Sequence, residues 1–380
     1  MNISGPWLDH PGTQALCLAL EDAGHRALLV GGCVRNAILG VAVADIDVAT
    51  DALPENVSDI AINAGFKVVP TGIEHGTVTV IAKGLAHEVT TFRRDVATDG
   101  RHAQVAFGTE LREDAARRDF TMNALYADRQ GDVVDPLVGL PDLLARRVRF
   151  VGHAEDRIRE DYLRILRFFR FHAHFGDPGG GLDPEAMAAC AANSAGIDTL
   201  SRERIGAEMR KLLSADDPAP SVAAMAASGV LAAVLPGADA RALPVLIHFE
   251  GDTPPDWQRR LVVLGGEDLA QALRLSRAEA ARLTIVQAEI GSMVRPEVLG
   301  WRHGVQIATD VVLARAAMFE QPLPQDWLQD IRRGAEAQFP VSAADLMPEL
   351  QGPALGARLR ALEARWLESG FSLTRDELLA

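Results

Sequence analysis

Along the first 140 residues, short apolar runs rich in β-branched side chains alternate with glycine and Asp/Asn turn signals. The runs are Ala27-Leu28-Leu29-Val30, Ile46-Asp47-Val48, Phe66-Lys67-Val68-Val69, Thr77-Val78-Thr79-Val80-Ile81 and Glu88-Val89-Thr90-Thr91-Phe92. Their length and composition predict strands. Beyond about residue 155 the apolar spacing turns helical and stays so, as in 204–213 and 221–235, broken by Gly229, Pro236 and Asp216-Asp217-Pro218. Pro and Gly clusters near 176–181, 216–220 and 251–255 mark further joints. Strands first and helices afterwards predict an α+β head, with a small mixed or antiparallel sheet, followed by an all-helical extension. There is no repeat of fixed period.

Composition narrows the class. At 380 residues the chain is too long for one small core and predicts two to four packed units. Its 48% hydrophobic and 24% charged residues are those of a globular protein and exclude a disordered or collagen-like chain. No apolar run approaches the roughly 18 residues of a membrane span, and the first residues lack the pattern of a secretory signal, so a cytoplasmic location is expected. Cys17, Cys33 and Cys190 lie too far apart for a C-x-x-C zinc site. The net charge of −14 conceals a basic stretch: residues 146–170 hold eight arginines against four acids. Of the 38 basic residues only Lys67, Lys83 and Lys211 are lysines, and the guanidinium fork suits phosphates and base edges.

Three constellations carry candidate chemistry. In Leu29-Val30-Gly31-Gly32-Cys33-Val34-Arg35-Asn36 a strand ends in two glycines, where backbone N–H groups can approach an anion and Arg35 can add charge. Asp45-Ile46-Asp47 follows; on a strand the two acids face one side, and paired carboxylates suit a hard ion such as Mg²⁺ that also takes substrate phosphates. Neither a G-x-G-x-x-G nor a P-loop is present. The second constellation, Arg117-Arg118-Asp119-Phe120-Thr121-Met122-Asn123-Ala124-Leu125, supplies donors for phosphate or ribose, with Asp119 able to orient a guanidinium. The third, Glu160-Asp161-Tyr162-Leu163-Arg164-Ile165-Leu166-Arg167-Phe168-Phe169-Arg170-Phe171, reads as one helix with 160/161, 164, 167 and 171 on one face. Asp161 and Arg164, one turn apart, set an acceptor beside a donor, which matches the edges of cytosine and adenine. Uracil and guanine would leave Asp161 unpaired, at roughly 1–3 kcal/mol. Taken singly, each has a plainer alternative: a tight turn with a solvated acidic edge, a helix start with a surface ion pair, and an i, i+3 salt bridge.

Together and in this order, the three constellations resemble the class II CCA-adding tRNA nucleotidyltransferase and bacterial poly(A) polymerase family. Asp135-Pro136-Leu137-Val138-Gly139 is similar to the stretch that closes the family's head, and Ser201-Arg202-Glu203-Arg204 to a supporting helix start. The resemblance implies a nucleotidyltransferase head over 1–141 followed by an elongated all-helical extension, with a neck carrying the base-reading helix over 142–213, an RNA-binding body over 214–320 and a tail over 321–380. It implies that Asp45 and Asp47 are catalytic and hold Mg²⁺, with Glu88 as a possible third carboxylate. It further implies that Gly32, Arg35 and Arg118 receive the triphosphate, that Asp161 and Arg164 read the base, and that Arg167 and Arg170 complete the nucleotide pocket. The implied reaction is template-independent addition of nucleotides from CTP and ATP to the 3′ end of tRNA. In it, the terminal hydroxyl attacks the α-phosphate in line between two metals and pyrophosphate leaves. A poly(A) polymerase and a CC- or A-adding specialist share these motifs. No DNA or membrane partner is expected. Position 36 is Asn where much of the family has Asp, so an ion pair on Arg35 becomes a neutral hydrogen bond, which Asn can still accept.

Overall fold

β-Branched side chains crowd a helix but sit easily on a pleated surface, and the runs that carry them become strands. The computed structural model describes residues 1–70, 72–73, 76–99 and 102–380. Its strands are β1 (Ala27–Val30), β2 (Asp47–Thr50), β3 (Lys67–Val69), β4 (Thr77–Ala82), β5 (Leu85–Thr91), β6 (Arg93–Asp99), β7 (His102–Phe107), β8 (Tyr126–Ala127) and β9 (Val133–Val134). Seven of them form one sheet in the order β3-β4-β5-β2-β1-β8-β9, and β6 and β7 pair as a separate hairpin. Among the described residues only β2 and β5 run parallel, which makes the sheet mixed.

The chain divides into two units, Met1–Val234 and Leu235–Ala380. The first holds all these strands and the helices α1 (Pro11–Asp22), α2 (Gly32–Leu39), α3 (Pro54–Asn63), α4 (Leu111–Ala116), α5 (Leu140–Leu144), α6 (Ala154–Glu160), α7 (Leu163–Phe175), α8 (Pro184–Ala192), α9 (Arg202–Leu213), α10 (Ala219–Ala227) and α11 (Val230–Val234). Leu28 and Val30 of β1, Ala49, Phe92, Ala115, Ala124 and Tyr126 are buried in one apolar cluster. Each large apolar side chain so buried contributes about 1.5–3 kcal/mol. An aromatic stack continues it: Phe120 lies 4.9 Å from both Phe150 and Phe171, ring to ring, and Phe150 lies 5.8 Å from Phe168. That stack fastens α7 to the segment that follows α4.

The second unit is helical: α12 (Leu243–Glu250), α13 (Trp257–Leu264), α14 (Leu269–Ala272), α15 (Arg277–Ile290), α16 (Pro296–Met318), α17 (Trp327–Glu336), α18 (Gly352–Glu368) and α19 (Arg375–Leu379). Val298, Leu362, Trp366 and Leu378 form part of its core. Arg259 and Arg260, each 1% exposed, are neutralised by Glu250, and Arg259 also by Asp310. Among the described residues no strand follows Val134, and no helix is long and apolar enough to cross a membrane.

Candidate active site

The turn between β1 and α2 has a backbone geometry that can receive an anion. Gly31 adopts φ 71°, ψ −120°, a conformation that side-chain-bearing residues avoid. A Cβ there would sit 3.5 Å from Arg118 Nη1. No side chain caps α2, whose first amides therefore keep their donors and the positive end of the helix dipole for a ligand. Arg118 is aimed at this point by its other contacts: Nε donates to Tyr126 Oη at 3.0 Å and Nη2 to Asp114 Oδ2 at 3.0 Å. Tyr126 Oη in turn donates to Asp114 Oδ2 at 2.7 Å. Burial alone would make Arg118 easier to deprotonate, but Tyr126 and Asp114 outweigh it and hold the guanidinium charged.

The acids lie beside that turn. Asp45 precedes β2, and Asp47 opens it. Ile46 is buried between an exposed Asp45 and a half-buried Asp47, so the alternation expected of a strand reaches back over both acids even though the strand begins one residue later than expected. Glu88 N donates to Ile46 O at 3.0 Å, and Asp47 is the register partner of Glu88 across the parallel pair. Burial, then the Glu88 carboxylate, push the Asp47 carboxyl up to about 6 against the pull of Arg118, with Asp45 adding to the rise. Two carboxylates that raise the cost of ionising Asp47 leave a place beside it where a cation is stabilising. Among the described residues no three His, Cys, Asp or Glu side chains form a complete metal cage. This donor set fits a small, hard ion that keeps several waters and takes further oxygens from a substrate's phosphates.

One hydrogen-bonded network joins this corner to α7. Arg35 is 8% exposed, with its guanidinium carbon 3.9 Å from the centroid of the Phe175 ring. Its Nη1 donates to Asn123 Oδ1 at 2.6 Å, and its Nε and Nη2 donate to Asn36 Oδ1 at 3.1 and 2.8 Å. The neutral acceptor at position 36 thus does hold the arginine. Burial pulls Arg35 down to about 10, with Asp119 opposing. Asn123 Nδ2 donates to Asp119 Oδ1 at 2.9 Å, and Arg167 grips Asp119 Oδ2 through Nε at 2.8 Å and through Nη2. Burial would raise the Asp119 carboxyl, but Arg167 and Asn123 hold it well below the usual range. Arg170 is paired with Glu208 on α9 at 2.5 Å.

The segment expected to read the base departs from the single helix expected over 160–171. Helix α6 stops at Glu160, α7 starts at Leu163, and Asp161 between them is extended at φ −156°, ψ 106°. The cause is local: Asp161 Oδ1 accepts from Leu163 N at 3.1 Å, the side-chain-to-backbone bond through which Asp competes with helix. Its other oxygen accepts from Arg204 Nη2 at 2.6 Å. Arg164 donates to Glu160 Oε2 at 2.5 Å and to Arg157 O at 2.8 Å, so the i, i+3 salt bridge with Asp161 is replaced by separate partners. Arg157 also donates to the Arg117 and Arg118 carbonyls. The sequence reading missed Asp114, Tyr126, Glu208 and Arg157 as supports. The i, i+3 and i, i+4 spacing of Asp114 to Arg117 and Arg118 is visible in the sequence, whereas Glu208 lies 38 residues from its partner.

A family profile described as the poly A polymerase head domain matches residues 27–149, and one described as a probable RNA and SrmB-binding site of polymerase A matches residues 181–241. The chain is 31% identical to CCA tRNA nucleotidyltransferase 1, mitochondrial, of Mus musculus, over 97% of its own length and 89% of that protein's. It is 32% identical to the CCA-adding enzyme of Geobacillus stearothermophilus over 91% of its length and 89% of that enzyme. The chain belongs to the CCA-adding tRNA nucleotidyltransferase family. Among solved structures, the CCA-adding enzyme of Bacillus stearothermophilus in complex with CTP superposes with a TM-score of 0.71 at 30% identity, covering 94% of this chain and 93% of that one. The Thermotoga maritima CCA-adding enzyme complexed with tRNA shares the fold, with a TM-score of 0.70 at 17% identity, covering 97% and 94%. CCA-adding enzymes are nucleotidyltransferases and generally work with metal ions.

Proposed function

We propose that this chain adds cytidylate and adenylate residues from CTP and ATP, without a template, to the 3′ end of tRNA. The observation that carries the reading is the convergence of the α2 amino terminus, Arg118 and the Asp45–Asp47 pair at the ends of the central strands β1 and β2, in a chain that matches CCA-adding relatives over nearly its whole length. Asp45 and Asp47, with Glu88 beside them, would hold Mg²⁺, which when bound would neutralise the triphosphate and make the tRNA's terminal hydroxyl a better nucleophile. The amides at Gly32 and the guanidiniums of Arg35 and Arg118 receive the phosphates and stabilise the charge that develops as pyrophosphate leaves. Asp161 and Arg164 face the base edge, the first steadied by Arg204 and the second by Glu160. Arg167 and Arg170 close the nucleotide pocket. Division into head (1–141), neck (142–213), body (214–320) and tail (321–380) assigns catalysis to the first, base selection to the second and tRNA phosphate contacts to the helices beyond, with binding that weakens as salt rises.

Incubating the protein with tRNA that lacks its 3′ end, plus CTP alone, ATP alone or both, tests the proposal. Sequenced products ending in C-C-A only when both are present support it. Adenylate tails grown from ATP alone on any RNA would mean a poly(A) polymerase instead.

A further inference from the structure

Asn36 sits on α2 directly after Arg35 and makes bonds in two directions. Its Oδ1 accepts both Nε and Nη2 of Arg35, and its Nδ2 donates to Ala42 O at 2.9 Å. Its own backbone carbonyl accepts Val41 N at 2.9 Å, just past the left-handed Gly40 that ends the helix. These bonds hold the chain at Val41 and Ala42, three residues before Asp45. The amide orientation is fixed by its partners: turned over, it would set donors against the arginine and an acceptor against the Ala42 carbonyl. An aspartate could serve the arginine but has no donor for Ala42.

From Arg35 the chain of bonds runs on through Asn123 and Asp119 to Arg167. We propose that Asn36 is a positioning residue that couples the phosphate-receiving Arg35 to the loop bearing Asp45, so that one neutral amide sets the nucleotide and metal positions together. The proposal rests on the nucleotidyltransferase reading above. It gives the neutral side chain at position 36 a function that a carboxylate cannot fill.

The two halves of the amide separate by mutation of the full chain. Asn36→Asp keeps the acceptor for Arg35 and loses the donor to Ala42; Asn36→Ala loses both. Mn²⁺ binding, titrated by electron paramagnetic resonance without nucleotide, should weaken roughly three- to tenfold in both variants, the worth of one hydrogen bond. In Asn36→Asp that loss runs against the added negative charge, which by itself would tighten a cation. The KM for CTP should rise several-fold in Asn36→Ala and stay within about twofold in Asn36→Asp. A general structural defect would move both variants alike in melting temperature and kcat without this split. Mn²⁺ affinity in Asn36→Asp equal to or tighter than that of the unaltered protein overturns the coupling, and this arm stands even if Asn36→Ala does not fold. Failure of the unaltered protein to incorporate any nucleotide would refute the underlying reading instead. Full incorporation with unmoved Mn²⁺ affinity refutes the coupling alone.

Discussion

Asp119 is where the head meets the arginines of α7, and its removal is the most informative structural perturbation. Its carboxylate is 11% exposed and accepts from Arg167 Nε and Nη2, Asn123 Nδ2 and Phe120 N. In Asp119→Ala the Phe120 amide and the buried Asn123 amide each lose a partner, at about 1 kcal/mol apiece at the low end for an unsatisfied buried group. Arg167 is 31% exposed and keeps a weak partner in Glu208 at 3.9 Å, so its loss is about 1–2 kcal/mol rather than the 3–5 of a fully buried pair. The expected cost is about 3–4 kcal/mol. All three cysteines lie buried in the first unit, and burial pushes the Cys17 and Cys33 thiols up to about 12 and 11, so they label only when that unit opens. Pulsed thiol labelling across a urea gradient therefore reads its stability directly. A loss below about 1 kcal/mol, or additive losses in the Asp119→Ala, Arg167→Ala double-mutant cycle, would refute the reasoning. The sign with pH follows. A carboxyl held below its unfolded value of about 4 contributes fully above that pH, and the contribution is lost as pH falls through the lower folded value. The stability gap between the unaltered protein and the variant should then be constant from pH 5 to 8 and shrink below pH 4, as followed by circular dichroism.

Two further perturbations address the ligand directly. Arg204→Ala removes one of the two bonds that hold the carboxylate of Asp161, and the ratio of kcat/KM for CTP to that for UTP should fall about tenfold, further still in Asp161→Ala; an unchanged ratio would show that this carboxylate does not read the base. Gly31→Ala forces a side chain into a conformation that costs about 1–3 kcal/mol and brings a methyl group to 3.5 Å from Arg118 Nη1, so the KM for CTP should rise at least about tenfold; an unchanged KM would place the phosphates elsewhere.

The strands from β1 to β5 were legible because their runs are β-branched and bounded by turns, and each starts and ends within a few residues of its predicted run. The hairpin of β6 and β7 was not, since its sequence mixes Arg, Asp, His and Gln with small residues and shows no apolar alternation. The Gly31-Gly32 turn and the Asp45–Asp47 pair could be read because their chemistry is local: a positive φ and a one-residue spacing. The break at Asp161 could not, because helical periodicity continues through it in the sequence and only the carboxylate's bond to Leu163 N interrupts the helix. The support of Arg167 by Asp119, 48 residues away, and of Arg35 by Asn123, 88 residues away, is set by packing of the Phe120, Phe150 and Phe171 rings rather than by spacing. Local chemistry named the residues, and tertiary packing decided which of them hold one another.

The claim on which the account turns is that two neighbouring acids beside a helix amino terminus promote transfer of a nucleotide to an RNA end. Single-turnover incorporation of CMP into tRNA lacking its 3′ end, measured for the unaltered protein, Asp45→Ala and Asp47→Ala at saturating CTP and Mg²⁺, tests it. The account predicts a drop of about a thousandfold or more in either variant, with CTP binding weakened no more than about tenfold. Incorporation at the unaltered rate in either variant would contradict it.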